Sequence, residues 1–307
     1  MENKQKHPNF QLGTVQLGMD YGLGDHTKKP TRDYAFSLLD RAIAQGVETL
    51  DTASNYGESQ AVIGAWLHTV PEEKRPRIIT KIGPFDHSSA KNLRADIRKQ
   101  AEETLAALHL ARVDTLMVHM FEDYEQDPDT VRDAFLQMKR EGLAREIGIS
   151  AYSRHDYRKL AASGFDSVQI PLNVFDWGQI ESGGMRALAD AGIAVYARSV
   201  FLQGLTFLTP KTLDPRMDFC LPYLTKFLGF CEEFGMSPAV LALSFIFSVP
   251  GVDTVVLGCQ TLEQLDENCA VMARVHALSP AQMEKLHAAF HGIDPRVIDP
   301  GKWFNHF

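Results

Sequence analysis

Strand-like and helix-like segments alternate along this 307-residue chain from end to end, and that alternation constrains the fold more than any single residue does. Short apolar, β-branched runs fall at residues 10–17, 47–50, 77–83, 113–120, 144–150, 167–171, 193–199 and 251–257. Helical spacing fills the intervals, at 32–44 (with Thr31 as cap), 59–67, 93–108, 129–140, 154–162 and 181–191. It continues at 223–234, 238–247, 262–273 and 280–290. Such alternation is the pattern of a parallel sheet with crossover helices. Eight units in a chain of this length match an α/β fold of the closed (β/α)8 TIM-barrel type, with outer helices. The pattern alone leaves an open doubly wound sheet as the alternative. No GxGxxG opens a helix after the first run, which weighs against the dinucleotide-binding form of that sheet. The chain, 1–307, reads as a single barrel domain with an irregular loop over 200–221 and a proline-bearing tail over 291–307.

Composition removes several function classes. The formal net charge is -8 and charges of both signs are interspersed, so no basic stripe invites nucleic acid. No run of about eighteen apolar residues exists to span a membrane. The first residues, MENKQKHPNFQLG, lack an apolar signal core, and the expected location is the cytoplasm. Cys220, Cys231, Cys259 and Cys269 show no CxxC spacing and read as free thiols.

The chemistry begins in the stretch 46–60, GVETLDTASNYGESQ. Its apolar run ends in Asp51, and Tyr56 follows on a turn-rich loop. A tyrosine ordinarily keeps its proton to about pH 10 and alone is a poor acid at neutrality. A buried cation beside a tyrosine favours its ionised form, and a carboxylate can hold such a cation in place. The next strand, IITKIG, carries Lys81 near its end, and the one after, VDTLMVH, ends in His119. Asp51, Lys81 and His119 thus recur one strand–helix unit apart. In a barrel, strand C-termini share one mouth.

The ordered set of GVETLDTASNYGESQ, IITKIG, VDTLMVH, EIGIS, SVQIPLNVFD, RSVFLQGL and VVLGCQTLEQLDEN resembles the aldo-keto reductases, from Leu12 to Asn268. The resemblance implies a (β/α)8 barrel that binds NADP(H) in extended form, with no Rossmann domain and no metal. It implies a tetrad of Asp51, Tyr56, Lys81 and His119, all present. Tyr56 would exchange a proton with the carbonyl oxygen, Lys81 would assist it, Asp51 would fix Lys81, and His119 would orient the carbonyl. Ser150, Gln169 and Asn173 would lie near the nicotinamide carboxamide. Ser199, Phe201, Gln203, Gly204 and Leu205 would follow the pyrophosphate. Gly258, Gln260, Gln264 and Asn268 would meet the adenosine end, at a helix start that favours anions. Met19, Asp20, Tyr21, Asn55, Met120, Tyr152 and Trp177 would line the substrate pocket, where polar groups among apolar walls suit a sugar or hydroxy-aldehyde.

Three positions depart from the family pattern. The residues after the last strand are neutral where relatives often place Arg or Lys against the 2′-phosphate, so NAD(H) stands beside NADP(H) as cofactor. Arg198 stands where many relatives stack an aromatic ring on the nicotinamide; it could stack, meet an anionic substrate group, or pair with a carboxylate. Ala151 replaces an Asn that often follows the strand-end Ser. A carbonyl–alcohol oxidoreductase acting on a small molecule is the leading expectation. A cofactor-binding regulatory or scaffold subunit on the same barrel is the second. A metal-dependent barrel hydrolase is the third, and with only Asp51 and His119 as strand-end ligands it lacks its donor set.

Overall fold

The computed structural model describes residues 10–21 and 28–303. Eight parallel strands close into a barrel in chain order: β1 (Phe10–Gly13), β2 (Thr49–Asp51), β3 (Arg77–Ile82), β4 (Val113–Val118), β5 (Ala144–Ser150), β6 (Ser167–Pro171), β7 (Ala194–Arg198) and β8 (Val252–Gly258). The seam pairs β1 with β8, Phe10 to Gly13 against Val255 to Gly258. Closure settles the question that pattern left open, and the open sheet is excluded.

Side chains alternate along each strand with period two. Leu50, Ile78, Leu116, Ile147 and Ile149 belong to the large apolar layer packed under the helices. Ile79, Met117 and Tyr196 form a separate small cluster inside the barrel. Two residues further along the same strands, period two returns Lys81, His119 and Arg198 to that inner face at the C-terminal mouth. The fold thereby turns a sequence spacing into a convergence.

The helices follow their sequence signals closely. Arg32–Ala44 is capped by Thr31, and Pro280–Phe290 carries a capping box between Ser279 and Gln282. Four expectations need correction. The first strand ends at Gly13, not 17, because the Thr14 N–H and hydroxyl both donate to the Asp51 carbonyl and the chain turns into a short helix, Val15–Gly18. The helix expected over 181–191 is two, Gly178–Glu181 and Gly184–Asp190, broken at Gly183 with φ of 80°. The helix expected over 154–162 shrinks to Tyr157–Ala161, and the 200–221 loop holds two 3-10 stretches, Leu202–Phe207 and Pro215–Cys220. One helix, Phe121–Gln126, had no expectation at all. The four cysteines are free. Among the described residues no single helix is long and apolar enough to cross a membrane. Of the C-terminal tail, residues 304–307 lie outside the described residues.

Candidate active site

At the centre of the mouth lies a buried ion pair. Lys81 Nζ donates to Asp51 Oδ1 at 2.7 Å, to Asp51 Oδ2 at 2.8 Å and to the Thr52 carbonyl at 3.0 Å. Both side chains are almost wholly withdrawn from water, 1 % and 3 % exposed. An ammonium has three donors, so all of those of Lys81 are committed. Its charge nevertheless sits 5.2 Å from the centroid of the Tyr56 ring. The Tyr56 ring meets His119 edge to face, 5.8 Å between centroids.

The loop carrying Tyr56 is docked by close backbone contact. Gly18 passes so near that a Cβ there would collide with the Tyr56 carbonyl and the Ser59 backbone, and the Glu58 N–H donates to the Gly18 carbonyl at 3.2 Å. Ser59 Oγ ties the same loop to Thr14 and Thr52 below it. His119 follows β4 directly, with its N–H on the Ile82 carbonyl. Burial, then the charges of Lys81 and Arg198, push its imidazole down to about 3. The ring is therefore neutral at physiological pH. Its Nδ1 is buried with no hydrogen-bond partner among the described residues.

Gln169 holds a contact that the sequence did not announce. Ser150 and Gln169 are register neighbours at the ends of β5 and β6, but Gln169 Nε2 donates to Asp51 Oδ2 at 2.7 Å. It is a second donor on the carboxylate that holds Lys81. Asn173 is buried and braces its own turn, accepting from the Phe175 N–H at 3.1 Å. Arg198 makes no carboxylate pair among the described residues. Its Nη2 donates to the Ala151 carbonyl at 3.1 Å, and its guanidinium lies 4.7 Å from the Tyr152 ring centroid. The position that lost an Asn side chain at Ala151 thus offers its carbonyl to an arginine.

After β7 the backbone turns sharply. Ser199, Leu202, Gln203 and Gly204 take φ of 58°, 48°, 53° and 96°. Left-handed conformations at three non-glycine residues store strain, which clusters where loops clamp ligands. Leu205 is buried, so it presents backbone only, and the Phe201 ring rests on Phe207 at 4.9 Å.

The adenosine-end candidates assemble where β8 opens into the helix Leu262–Met272. The Gln260 N–H donates to Gln264 Oε1 at 2.8 Å, and Asn268 Nδ2 to the Gly258 carbonyl at 3.4 Å. Gln16 joins them unpredicted: a Cβ on Gly258 would stand 2.6 Å from its Nε2, and its Oε1 is buried without a partner among the described residues. Nothing in the sequence signalled it, since Gln16 lay inside the strand expected over 10–17. Glycine at the close approach, an orphaned carboxamide oxygen and a capped helix start fit the adenosine end of a dinucleotide.

Of the substrate candidates, Met19, Tyr21, Asn55 and Tyr152 are exposed at the rim and Met120 is half-buried. Burial, then Tyr56, raise the Tyr21 hydroxyl above the ordinary tyrosine range, while Arg198 opposes them. Tyr21 is 43 % exposed, and water screens part of this effect. Asp20 accepts the Lys29 N–H at 2.7 Å. Trp177 does not join the rim: its indole is buried against Phe245 and His287, at 5.1 and 5.0 Å between ring centroids.

Architecture and mouth together define the class: a (β/α)8 barrel with its polar centre at the C-terminal strand ends, where enzymes of this fold work. Within that class the chain belongs to the aldo/keto reductase family, whose model matches residues 10–290. It is an oxidoreductase, and enzymes of this family generally use NAD(P)H. It is similar to the Uncharacterized oxidoreductase YqkF of Bacillus subtilis (strain 168), 28% identical over 91% of this chain and 95% of that protein. It is also similar to the Putative voltage-gated potassium channel subunit beta of Schizosaccharomyces pombe, 25% identical over 85% of this chain and 83% of the other. The holo form of aldo-keto reductase AKR11C1 from Bacillus halodurans shares the fold with a TM-score of 0.72, at 19% identity over 95% of both chains.

Proposed function

We propose that this protein interconverts a carbonyl (aldehyde, ketone or sugar) and the corresponding alcohol by hydride transfer, with Tyr56 as general acid and base. The observation that carries this is the meeting of Tyr56, the buried Lys81–Asp51 pair and a neutral His119 at one mouth. When bound, NAD(P)H supplies the hydride to the carbonyl carbon, and NAD(P)+ takes it in the reverse direction. The Tyr56 hydroxyl gives its proton to the substrate oxygen as negative charge develops there, and recovers it from the alcohol in reverse. Lys81 acts by its field, since its donors are occupied, and a fixed positive charge near the phenolic ring stabilises the oxygen from which the proton departs. His119, uncharged, hydrogen-bonds and orients the carbonyl oxygen. Gln169 reinforces Asp51. The whole chain works as one domain, because the barrel closes only when its first and last strands pair.

Gln16, Gly258, Gln260, Gln264 and Asn268 are the proposed adenosine contacts. Residues 258–273 contain no Lys or Arg, and the helix there carries Glu263, Asp266 and Glu267. Arg41, which reaches this helix, is held by Asp266 at 3.0 Å. This electrostatic setting supports NAD(H) over NADP(H), because a 2′-phosphate would meet carboxylates instead of a free cation. At the rim, Tyr21, Asn55, Tyr152 and Arg198 supply hydrogen-bonding groups between Met19 and Met120, which suits a hydroxylated carbonyl compound.

The test is a panel of aldehydes, ketones and sugars with both cofactors, beside Tyr56→Phe. Losing a general acid should lower kcat by about 10²–10⁴-fold; unchanged turnover in the variant would overturn the mechanism. The alternative, a cofactor-binding regulatory subunit, takes its support from the Schizosaccharomyces pombe relative named as a channel subunit. Tight cofactor binding with no turnover of any carbonyl would favour it.

A further inference from the structure

Apart from the tetrad, three side chains from two segments distant in sequence point at one another. His287 lies in the last turn of the helix Pro280–Phe290, and His291, four residues on, caps its end. Glu181 ends the short helix Gly178–Glu181 that follows β6. His287 Nε2 lies 2.8 Å from Glu181 Oε1, and His291 Nδ1 lies 2.7 Å from the same oxygen. The three donor atoms fall within 4.8 Å of one another. We propose that Glu181, His287 and His291 form a binding site for a divalent transition-metal ion, which ties the loop after β6 to the last helix of the barrel.

The donor set determines the class of ion. Two imidazoles and a carboxylate suit Zn²⁺, Ni²⁺ or Cu²⁺, whereas Mg²⁺ and Ca²⁺ prefer all-oxygen sites. Tetrahedral Zn²⁺ with bonds of about 2.0–2.1 Å needs its donors about 3.3 Å apart. The observed 2.7 and 2.8 Å are the spacing of shared protons, so binding needs the donors to spread by about half an ångström. That adjustment is within reach of side chains that are 34 % to 64 % exposed. In the ion-bound state each neutral imidazole presents a lone pair from the nitrogen now facing Glu181 and carries its single proton on the other ring nitrogen, a tautomer shift that releases no proton. Three protein donors leave a fourth position for water.

The site has a built-in platform. The buried Trp177 indole lies 5.0 Å from the His287 ring and donates to the Val174 carbonyl at 2.9 Å. The tryptophan that failed to reach the substrate rim instead supports a metal ligand. It also supplies a reporter, because bound Cu²⁺ or Ni²⁺ quenches a neighbouring indole.

The experiment strips the full-length protein with a chelator, then titrates Zn²⁺ by calorimetry and Cu²⁺ by tryptophan fluorescence, with Mg²⁺ as control. One equivalent of Zn²⁺ should bind and raise the melting temperature, Cu²⁺ should quench emission, and Mg²⁺ should do neither. Losing even an outer partner of a ligand costs about 10–100-fold in metal affinity, so Glu181→Gln, His287→Gln and His291→Gln should each weaken binding at least that much. The quench should disappear in Trp177→Phe. The chain has eleven histidines, so the comparison with the Gln variants separates this site from the rest. Unchanged Zn²⁺ affinity in all three variants, or no saturable binding of either ion to the parent, would overturn the proposal.

Discussion

Lys81 has no hydrogen to offer a ligand: Asp51 and the Thr52 carbonyl occupy all three. Its partner is equally enclosed, and removing one member of a buried pair strands the other. Lys81→Met should therefore destabilise the fold by about 3–5 kcal/mol, measured by urea unfolding. Adding Asp51→Asn should restore part of the loss; a double variant less stable than the single would contradict this account. His119 makes a second prediction, and its sign follows from the direction of its shift. In the unfolded chain an imidazole titrates near 6.5, whereas in the folded protein His119 does so at about 3. Between those values the unfolded chain holds a proton that the native state refuses. The contribution is complete above about pH 6.5 and is lost as pH falls toward 3. His119→Asn should lose less stability than the parent between pH 7 and 5, and identical acid limbs would show that this group does not drive them. Asp51, Tyr56, Lys81 and His119 were all legible in the sequence, because strand-end spacing maps directly onto a barrel mouth. The bond from Gln169 to Asp51 and the place of Gln16 beside Gly258 were not legible: which nearby polar group a carboxamide meets depends on side-chain geometry, and spacing does not encode it.

Elements reveal what spacing alone conceals. The strands were recognisable because apolar β-branched runs recur between helical stretches, and their ends missed by only a few residues. The largest miss, at the first strand, came from Thr14, whose donation to the Asp51 carbonyl ends pairing where hydropathy continues. The break at Gly183 and the compact turns after β7 have a related cause: left-handed residues leave little mark on periodicity. The element that most directly positions the proposed acid is the turn Val15–Gly18, pressed against the Tyr56 loop. Gly18→Ala should push that loop outward while leaving the outer helix layer intact. A displacement of about 1 Å at the reacting group costs about 10²-fold, so kcat/KM should fall by that order with circular dichroism unchanged. Full activity in Gly18→Ala would show that the loop yields freely.

For the whole molecule, family membership defines the chemistry and the local electrostatics define its variant. A cationic contact to phosphate is worth about 1.5–3 kcal/mol, so Gln264→Arg should raise the preference for NADP(H) over NAD(H) by about tenfold or more. Ratios of kcat/KM for the two cofactors measure it directly. A parent enzyme already strongly selective for NADP(H) would refute the proposed reading of the adenosine end. Cofactor identity was the least legible part of the sequence, since the neutral run after β8 showed what is missing, and only the fold showed that Asp266 also restrains Arg41.

The seam between β1 and β8 joins the first strand to the last, with Gly13 beside Gly258. Until the ribosome has delivered residues 252–258, β1 and β7 each lack a neighbour, and both present unpaired backbone edges. Of the proposed adenosine contacts Gln16 is made early, whereas Gly258, Gln260, Gln264 and Asn268 come with or just after the closing strand. A nascent chain thus closes its sheet and brings Gln16 up to the proposed adenosine contacts in nearly the same step, so nucleotide capture would mark a closed barrel.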